Sequence, residues 1–542
     1  MSVFRPRRRT YPALVTTLTA GVLVLSACGG SPESVSSSSG GANGSLIVGM
    51  ESEADILDPP RTGSWVTTRV FNQMFEGLVG EDLTKSSSQS PVPELKPQLA
   101  SSWTISPDGK TYTFQIRPNV KFQDGTPLDA AAVEFNIRRM WDKNFQYYDV
   151  KSAGNSGYVW QYLTSIETPD PMTLVLTMSQ PFSAFLRLTT QGGYHAIISP
   201  ASIKKYGNDG VGDHPVGTGP FEFVSRVRGQ RITLQRFDGY WGAKPKLKTI
   251  IFRPLPDDSA RVAALRAGEV DMIAVPPPDS IADLKSAGYQ ISEGSPPHLW
   301  YLNLNLTNGP TANPLVRQAI NLAIDRQGMA HDLLKDTVTP AVSVLPPGNP
   351  AAVPDTSRYT YDPAQAKKLL AQAGYANGFS TTLMTSVSGS GQILPVPMAE
   401  YIQQNLAKVG ITVKIDATEW ISYLTKAAQG MPDGTAMAQM SWGMSSPYWL
   451  SIENSSKLAA PNGPNVTGHD NPDLDALMDK ASLATDDASA TDLWKQAVVM
   501  DQADETVVPV VNDKAPYALS SKVHGFVSPS EEWYDLSTVS VG

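Results

Sequence analysis

Residues of the types that perform nucleophilic or metal chemistry occur in this chain, but their spacing rarely matches a known site. Ser202 and Lys205 have the Ser-x-x-Lys spacing of an activated serine nucleophile, yet no Lys-Thr-Gly partner motif occurs in the chain. The six histidines are scattered, and no two lie three or four residues apart as metal ligands on a helix would. The sequence therefore predicts no catalytic site and no metal site, and we expect no cofactor.

Cys28 is the only cysteine, and its surroundings predict a lipid anchor. Four arginines and no acid occur in residues 1–27, and the apolar stretch from Ala13 to Leu25 is too short for a membrane span. The letters LSAC at 25–28 resemble the bacterial lipobox. By that resemblance residues 1–27 are a signal peptide, and Cys28 becomes the lipidated N-terminus. A plain secretory signal with an incidental cysteine is the alternative, and the Arg-Arg pair leaves both Sec and Tat export open.

The composition after the signal excludes several classes of protein. Residues 28–45 are rich in Gly and Ser, which predicts a flexible tether. The body from residue 46 has about 500 residues, enough for two or more lobes. Without the signal the net charge is about −13 and no basic block occurs, which argues against nucleic acid as a partner. We expect contact with the membrane through the lipid anchor only.

Strand and helix patterns alternate along the body. Residues 111–117 (TYTFQIR) alternate apolar and polar side chains, which predicts a half-buried strand. Residues 361–375 (YDPAQAKKLLAQAGY) have Asp362 at the N-cap position and Gly374 past the end of a predicted helix. This alternation predicts an α/β architecture. Because no second linker follows the tether, we expect the lobes to be interleaved in sequence and joined by crossing strands.

One region carries a more specific resemblance. Residues 93–139 (PELKPQLASSWTISPDGKTYTFQIRPNVKFQDGTPLDAAAVEFNIRR) resemble the signature region of the family 5 extracellular solute-binding proteins. These are the large periplasmic or lipoprotein receptors of bacterial ABC importers for peptides, nickel and related solutes. Further segments match in the expected order: PVGTGPF, RVAALRAGEVDM, NPLVRQAINLAIDR, YDPAQAKKLLAQAGY and VVPVV. The resemblance spans nearly the whole mature chain.

The resemblance implies a fold and a function. The fold would be the two-lobed α/β fold of the large periplasmic binding proteins (type II), with a first lobe at 46–296, a second at 297–512 and a return to the first at 513–542. The protein would be exported, anchored to the outer face of the cytoplasmic membrane, and monomeric. It would capture a peptide or peptide-like solute by lobe closure and deliver it to the transmembrane subunits of an ABC permease. The alternative in a different class is an envelope serine hydrolase that uses Ser202 and Lys205.

The sequence departs from the family's dipeptide receptors at the ligand. Those receptors bind the ligand's ammonium with an Asp after a Gly-Trp segment and its carboxylate with an Arg before a helix, here expected at 397–409. The first segment here reads QMSWGMSSPYWLSIENSS, where the first acid is Glu453, and the second reads TTLMTSVSGSGQILPVP, without Arg. A zwitterionic dipeptide is therefore disfavoured. A neutral oligosaccharide or an aromatic acid or ester is the alternative solute.

In place of the Asp and Arg of the dipeptide receptors, this sequence has neutral polar and aromatic side chains. Aromatic rings that stack on a ligand, with hydroxyl groups that orient it, suit a neutral or weakly charged solute. Plain core packing is the alternative role for each ring. The predicted ligand-binding residues are Trp442, Ser441, Ser445, Ser446, Tyr448, Trp449, Trp420, Trp300, Tyr301 and Trp65.

Overall fold

The computed structural model describes residues 44–191, 193, 194, 196–389 and 393–542. The predicted signal peptide, Cys28 and most of the tether lie outside the described residues. Within the described part, no helix is both long and apolar enough to cross a membrane.

Short strands are distributed along the whole described chain. They are β1 (Ser45–Met50), β2 (Val79–Glu81), β3 (Leu95–Pro97), β4 (Ala100–Ile105), β5 (Thr111–Ile116), β6 (Leu163–Asp170), β7 (Thr173–Met178), β8 (Phe221–Val227), β9 (Arg231–Arg236), β10 (Thr249–Pro254), β11 (Met272–Ala274), β12 (Gln290–Ser292), β13 (His298–Leu304), β14 (Val338–Pro340), β15 (Phe379–Ser386), β16 (Ile411–Thr418), β17 (Thr435–Gly443), β18 (Val507–Asp513), β19 (Tyr517–Leu519), β20 (Val523–His524) and β21 (Ser540–Val541).

Helices lie between many of these strands. They are α1 (Trp65–Phe71), α2 (Ala130–Trp141), α3 (Val150–Trp160), α4 (Phe185–Thr190), α5 (Pro200–Gly210), α6 (Asp258–Arg266), α7 (Ile281–Ser286), α8 (Pro314–Ala323), α9 (Arg326–Gly328), α10 (Pro363–Gln372), α11 (Pro395–Ala407), α12 (Trp420–Ala427), α13 (Trp449–Asn454), α14 (Pro472–Leu483) and α15 (Asp487–Asp504).

The described strands form two large mixed sheets, a four-stranded antiparallel sheet and two strand pairs, β2-β3 and β20-β21. The seven-stranded sheet has the order β12-β19-β11-β1-β10-β9-β8, and β1 runs parallel to both β10 and β11. The six-stranded sheet has the order β14-β18-β13-β17-β15-β16, with β15 parallel to β16 and β17. The four-stranded sheet has the order β4-β5-β7-β6 and is antiparallel. The predicted α/β architecture is therefore present.

Two adjacent connections carry the chain between the two large sheets. Residues 293–297 lead from β12 to β13, and residues 514–516 lead from β18 back to β19. The two connections are hydrogen-bonded to each other, since Gly294 N donates to Lys514 O at 2.8 Å. The chain therefore crosses between the two large sheets through two short segments that lie side by side, here termed the paired crossing.

The local signals read from the sequence have the expected structural roles. Asp362 caps α10, because its side chain accepts a hydrogen bond from Gln365 N at 2.8 Å. Gly374 follows that helix with a φ of 91°, a conformation that favours glycine. In β5 the residues predicted to face inward, Tyr112 and Phe114, are buried.

Candidate ligand-binding cavity

A cavity of about 250 Å³ is lined by six separate parts of the chain, two of which are the segment at Gln191 and Tyr194 and the start of α13. Helix α1 provides one wall and packs its buried residues into the core of the seven-stranded sheet. The end of β17 provides a second wall and belongs to the six-stranded sheet. Helix α12 and the C-terminal segment 531–533 complete the enclosure. The cavity thus lies between the two large sheets, on the side of the paired crossing.

Trp65 is positioned by the start of α1. Ser64 caps this helix, and its side chain accepts a hydrogen bond from Thr67 N. The Trp65 ring packs edge-on against His298, with 4.9 Å between ring centroids. It also covers Gly443, where an added Cβ would lie 3.5 Å from the indole. The ring therefore lies between Gly443 and His298 at the cavity wall.

Trp442 and Trp449 form an aromatic pair on the opposite wall. Trp442 is near the end of β17, and Trp449 is the first residue of α13. Their ring centroids are 4.5 Å apart and their planes are inclined by 43°. The indole N–H of Trp449 is buried and has no hydrogen-bond partner among the described residues. This wall therefore offers an apolar surface to the cavity.

Trp420 closes the cavity from the side of α12. Glu419 caps this helix by accepting from the backbone N–H groups of Ile421 and Ser422. The Trp420 ring lies nearly parallel to that of Tyr423, with centroids 5.9 Å apart. Helical spacing of i and i+3 produces this stacking and directs both rings to one face of the helix.

The C-terminal segment contributes Glu531, Glu532 and Trp533, which sequence reasoning did not single out. The Trp533 indole donates to Glu81 Oε2 at 3.2 Å. Glu81 is in turn paired with Arg187 at 3.1 Å, so a buried ion pair holds the segment in place. The signal in the sequence was an acid pair directly before a tryptophan, EEW at 531–533. An acid pair is usually a solvated feature, and nothing local indicates its burial.

Both glutamates of this segment are buried in low-polarity surroundings. Burial raises the pKa of Glu531 well above its usual range, and the charge of Glu81 raises it further. Burial also raises the pKa of Glu532, although His298 and Arg69 oppose that effect. Ionised carboxylates at these positions are therefore stabilised only where a cation faces them.

A buried ion network joins this segment to the paired crossing. His298 Nδ1 lies 3.3 Å from Asp513 and 3.5 Å from Glu532, and Arg69 lies 2.8 Å from Glu532. The His298, Asp513 and Glu532 ligand atoms lie within 4.8 Å of one another, as in a metal site. Because the Arg69 guanidinium already provides the cation, the arrangement is better suited to an ion network than to a metal.

Five of the predicted ligand-binding residues line the cavity. These are Trp65, Trp420, Ser441, Trp442 and Trp449.

Trp300 and Tyr301 do not line it, which corrects the expectation from the sequence. Both are 1% exposed and lie in β13, which is paired on both sides and buried along its length. Successive side chains of a strand point to opposite faces of the sheet. Trp300 therefore packs in the core of the six-stranded sheet, and Tyr301 packs in the core that the four-stranded sheet shares with α13 to α15. In a central strand both faces are covered, so neither ring reaches the cavity.

Ser445, Ser446 and Tyr448 are also outside the cavity lining, in the turn between β17 and α13. Ser446 Oγ accepts from Tyr448 N at 3.3 Å, a bond that stabilises the turn. The Tyr448 hydroxyl accepts from Gln161 Nε2 at 2.7 Å. Ser445 is buried and favours the ionised form of Glu531. These residues support the wall formed by Trp442 and Trp449.

The Ser-x-x-Lys pair is not arranged for catalysis. Ser202 is buried, and its hydroxyl donates to His214 O at 2.8 Å. Lys205 lies over the ring of Tyr206 at 4.8 Å. A nucleophile needs a base within hydrogen-bond reach and an open path to substrate. The structure provides Ser202 with neither among the described residues.

Comparison with known proteins identifies the family. Residues 94–459 match the profile of the bacterial extracellular solute-binding proteins, family 5, middle region. This chain belongs to that family. A relative, the glutathione-binding protein GsiB of Escherichia coli, is 33% identical over 491 residues, which cover 89% of this chain and 91% of the relative.

Solved structures agree with this assignment. The periplasmic binding protein DppA of Helicobacter pylori, in complex with the peptide STSA, matches with a TM-score of 0.81 and 27% identity, over 92% of this chain and 98% of DppA. The binding protein AgaA of A. tumefaciens, in complex with agropinic acid, matches with a TM-score of 0.78 and 28% identity, over 92% and 99%. The predicted two-lobed fold is confirmed. The chain is the solute-binding component of an ABC importer and not an enzyme.

Proposed function

We propose that this protein is a lipid-anchored receptor that captures a short peptide or peptide-like solute and delivers it to an ABC permease. The observation that carries the proposal is the tryptophan-walled cavity between the two large sheets. Relatives at about a third identity are named for binding glutathione, a peptide-like solute. A related fold at 27% identity binds a four-residue peptide.

The dimensions of the cavity favour a small solute. Ligand sites typically have volumes of about 300–1,000 Å³. At about 250 Å³ this cavity lies just below that range, which disfavours long oligopeptides. Its walls combine aromatic rings with a few polar groups, among them the buried Glu531 carboxyl group.

Lobe closure is the proposed mechanism of capture. Trp65 belongs to α1, which packs against the seven-stranded sheet, and Trp442 belongs to β17 of the six-stranded sheet. A ligand between the two rings would contact both only when the two sheets approach each other. The paired crossing at 293–297 and 514–516 would act as the hinge. The ligand would then shift the population toward the closed form, in which both sets of contacts are made.

The test is calorimetric titration of the purified protein with reduced glutathione, trialanine, agropinic acid, cellobiose and phenylacetate. We expect saturable binding of at least one of the two peptides. Trp442→Ala should weaken it by about 5-fold or more, because truncating an aromatic contact residue costs upward of 1 kcal/mol. The matched control is Trp103→Ala, in β4 and distant from the cavity lining, which should bind as the wild type does.

Other outcomes distinguish the alternatives. Binding of cellobiose or phenylacetate but of neither peptide would replace the peptide by one of the other solute classes. Turnover of an acyl substrate that Ser202→Ala abolishes would support the hydrolase alternative, against the geometry described above.

The lipid anchor has its own test. The proposal predicts that the protein incorporates labelled fatty acid and fractionates with membranes. Cys28→Ala should remove the label and release the protein from the membrane fraction. Incorporation of label by Cys28→Ala would contradict an anchor at this residue.

A further inference from the structure

Glu531 is a buried carboxyl group at the cavity wall that the protein leaves partly unsatisfied. Its residue is 2% exposed, and its Oε1 atom has no hydrogen-bond partner among the described residues. The other oxygen, Oε2, lies 3.9 Å from the position of a Cβ added to Gly443, on the face that Trp65 covers. A buried polar atom without a partner is costly, so it indicates a group that is satisfied by something else.

The neighbouring acids are balanced by cations, whereas Glu531 has no such partner among the described residues. Glu81 is paired with Arg187, and Glu532 is paired with Arg69 and faces His298. Within the described residues no lysine, arginine or histidine nitrogen lies within 4.0 Å of Glu531. Within the part of the chain that the structure describes, one carboxyl group in excess therefore faces the cavity.

The aromatic surroundings of this carboxyl group favour a cation as its partner. Trp65, Trp442 and Trp533 line the same cavity as Glu531. Indole rings present a negative face that attracts ammonium groups, and an ionised carboxylate accepts their N–H hydrogens. Ser445 and Gln191 favour the ionised form of Glu531 as well. An anion would gain less here, since an ionised carboxylate repels it.

We propose that Glu531 binds a protonated amine of the solute, with the tryptophan rings around it, so that this receptor selects ligands with a free ammonium group. This inference rests on the proposed function, because it assigns one end of the solute in the same cavity. Burial and the charge of Glu81 raise the pKa of Glu531, and an ammonium group beside it would lower that pKa, so binding of the amine favours the ionised carboxylate.

The experiment compares trialanine with N-acetyl-trialanine, and phenethylamine with N-acetylphenethylamine, by titration calorimetry at pH 7. In the wild type we expect each free amine to bind about 10- to 100-fold more tightly than its acetylated form, as a hydrogen bond to a charged group allows. Glu531→Gln should abolish that preference. The matched control is Glu453→Gln, a glutamate that is equally buried but outside this cavity, which should retain it.

Two further measurements keep the proposal falsifiable if Glu531→Gln fails to fold. Gly443→Ala places a methyl group in ordinary contact with Trp65 and close to Glu531, and it should weaken amine binding about 10-fold without loss of the fold. Titrations in phosphate and HEPES buffers should reveal release of protons when the wild type binds trialanine, because the ammonium group lowers the pKa of Glu531.

The outcomes separate this inference from the proposed function. Equal binding of trialanine and its acetylated form would overturn the ammonium subsite while the peptide receptor stands. Binding of phenethylamine that requires Glu531, without binding of either peptide, would support the subsite and overturn the peptide. Lack of binding of every free amine would overturn both.

Discussion

Glu453 allows a quantitative test of how burial of a carboxyl group makes the stability of this protein depend on pH. It lies in α13 and is 5% exposed. Burial raises its pKa from 4.5 to about 8, the nearby Tyr301 favours the ionised form, and Asp501 disfavours it. Because the folded protein holds this proton more tightly than the unfolded chain does, the free energy of unfolding should fall as the pH rises from about 4.5 to about 8. Below that interval the stabilisation is fully present.

The size of the effect follows from the pKa difference. Each unit corresponds to about 1.4 kcal/mol, so Glu453 alone accounts for a loss of at most about 5 kcal/mol between pH 4.5 and pH 8. Glu453→Gln removes the titrating group with little change of shape. The variant should match the wild type at pH 4.5 and become progressively more stable than it up to pH 8.

Urea unfolding followed by tryptophan fluorescence, at pH 4.5, 6, 7, 8 and 9, measures this difference. Taking the difference between variant and wild type cancels the contributions of other buried acids such as Glu76. The control is Glu400→Gln, an exposed glutamate on α11, for which the difference should be flat across the same range. A flat difference for Glu453→Gln would refute the argument that burial keeps this group neutral.

The remaining predictions concern backbone and capping positions. Gly217→Ala should destabilise the protein by about 3 kcal/mol, because the added Cβ would lie 2.2 Å from Met74 O. Gly154→Ala, in α3 with open space around it, should instead stabilise by about 0.5–1 kcal/mol; a similar urea midpoint for both variants would contradict the steric argument. Asp362→Ala should cost about 1 kcal/mol by loss of the cap on α10, and an unchanged urea midpoint would count against that role.

Local patterns in the sequence predicted the elements that depend on nearby residues. The cap at Asp362, the glycine stop at Gly374 and the alternation in β5 all arise from contacts within a few residues, so the sequence expresses them directly. The sequence segments that match the family in the expected order also predicted the family, and with it the two-lobed fold. The Ser-x-x-Lys motif at Ser202 did not predict a site, because a four-residue pattern does not specify which distant groups face the serine hydroxyl.

The composition of the cavity wall depended on tertiary structure. Trp65 and Trp300 are the same residue type, and both were predicted to bind ligand. Trp65 begins a helix at the edge of a core and faces the cavity, whereas Trp300 sits in a strand paired on both sides and is covered on both faces. Glu531 reaches the same wall as Trp442 although about 90 residues separate them. The sequence by itself thus determined the elements, their caps and the family. Only the packing of distant segments decided which side chains share the cavity, because burial is set by neighbours that are remote in the chain.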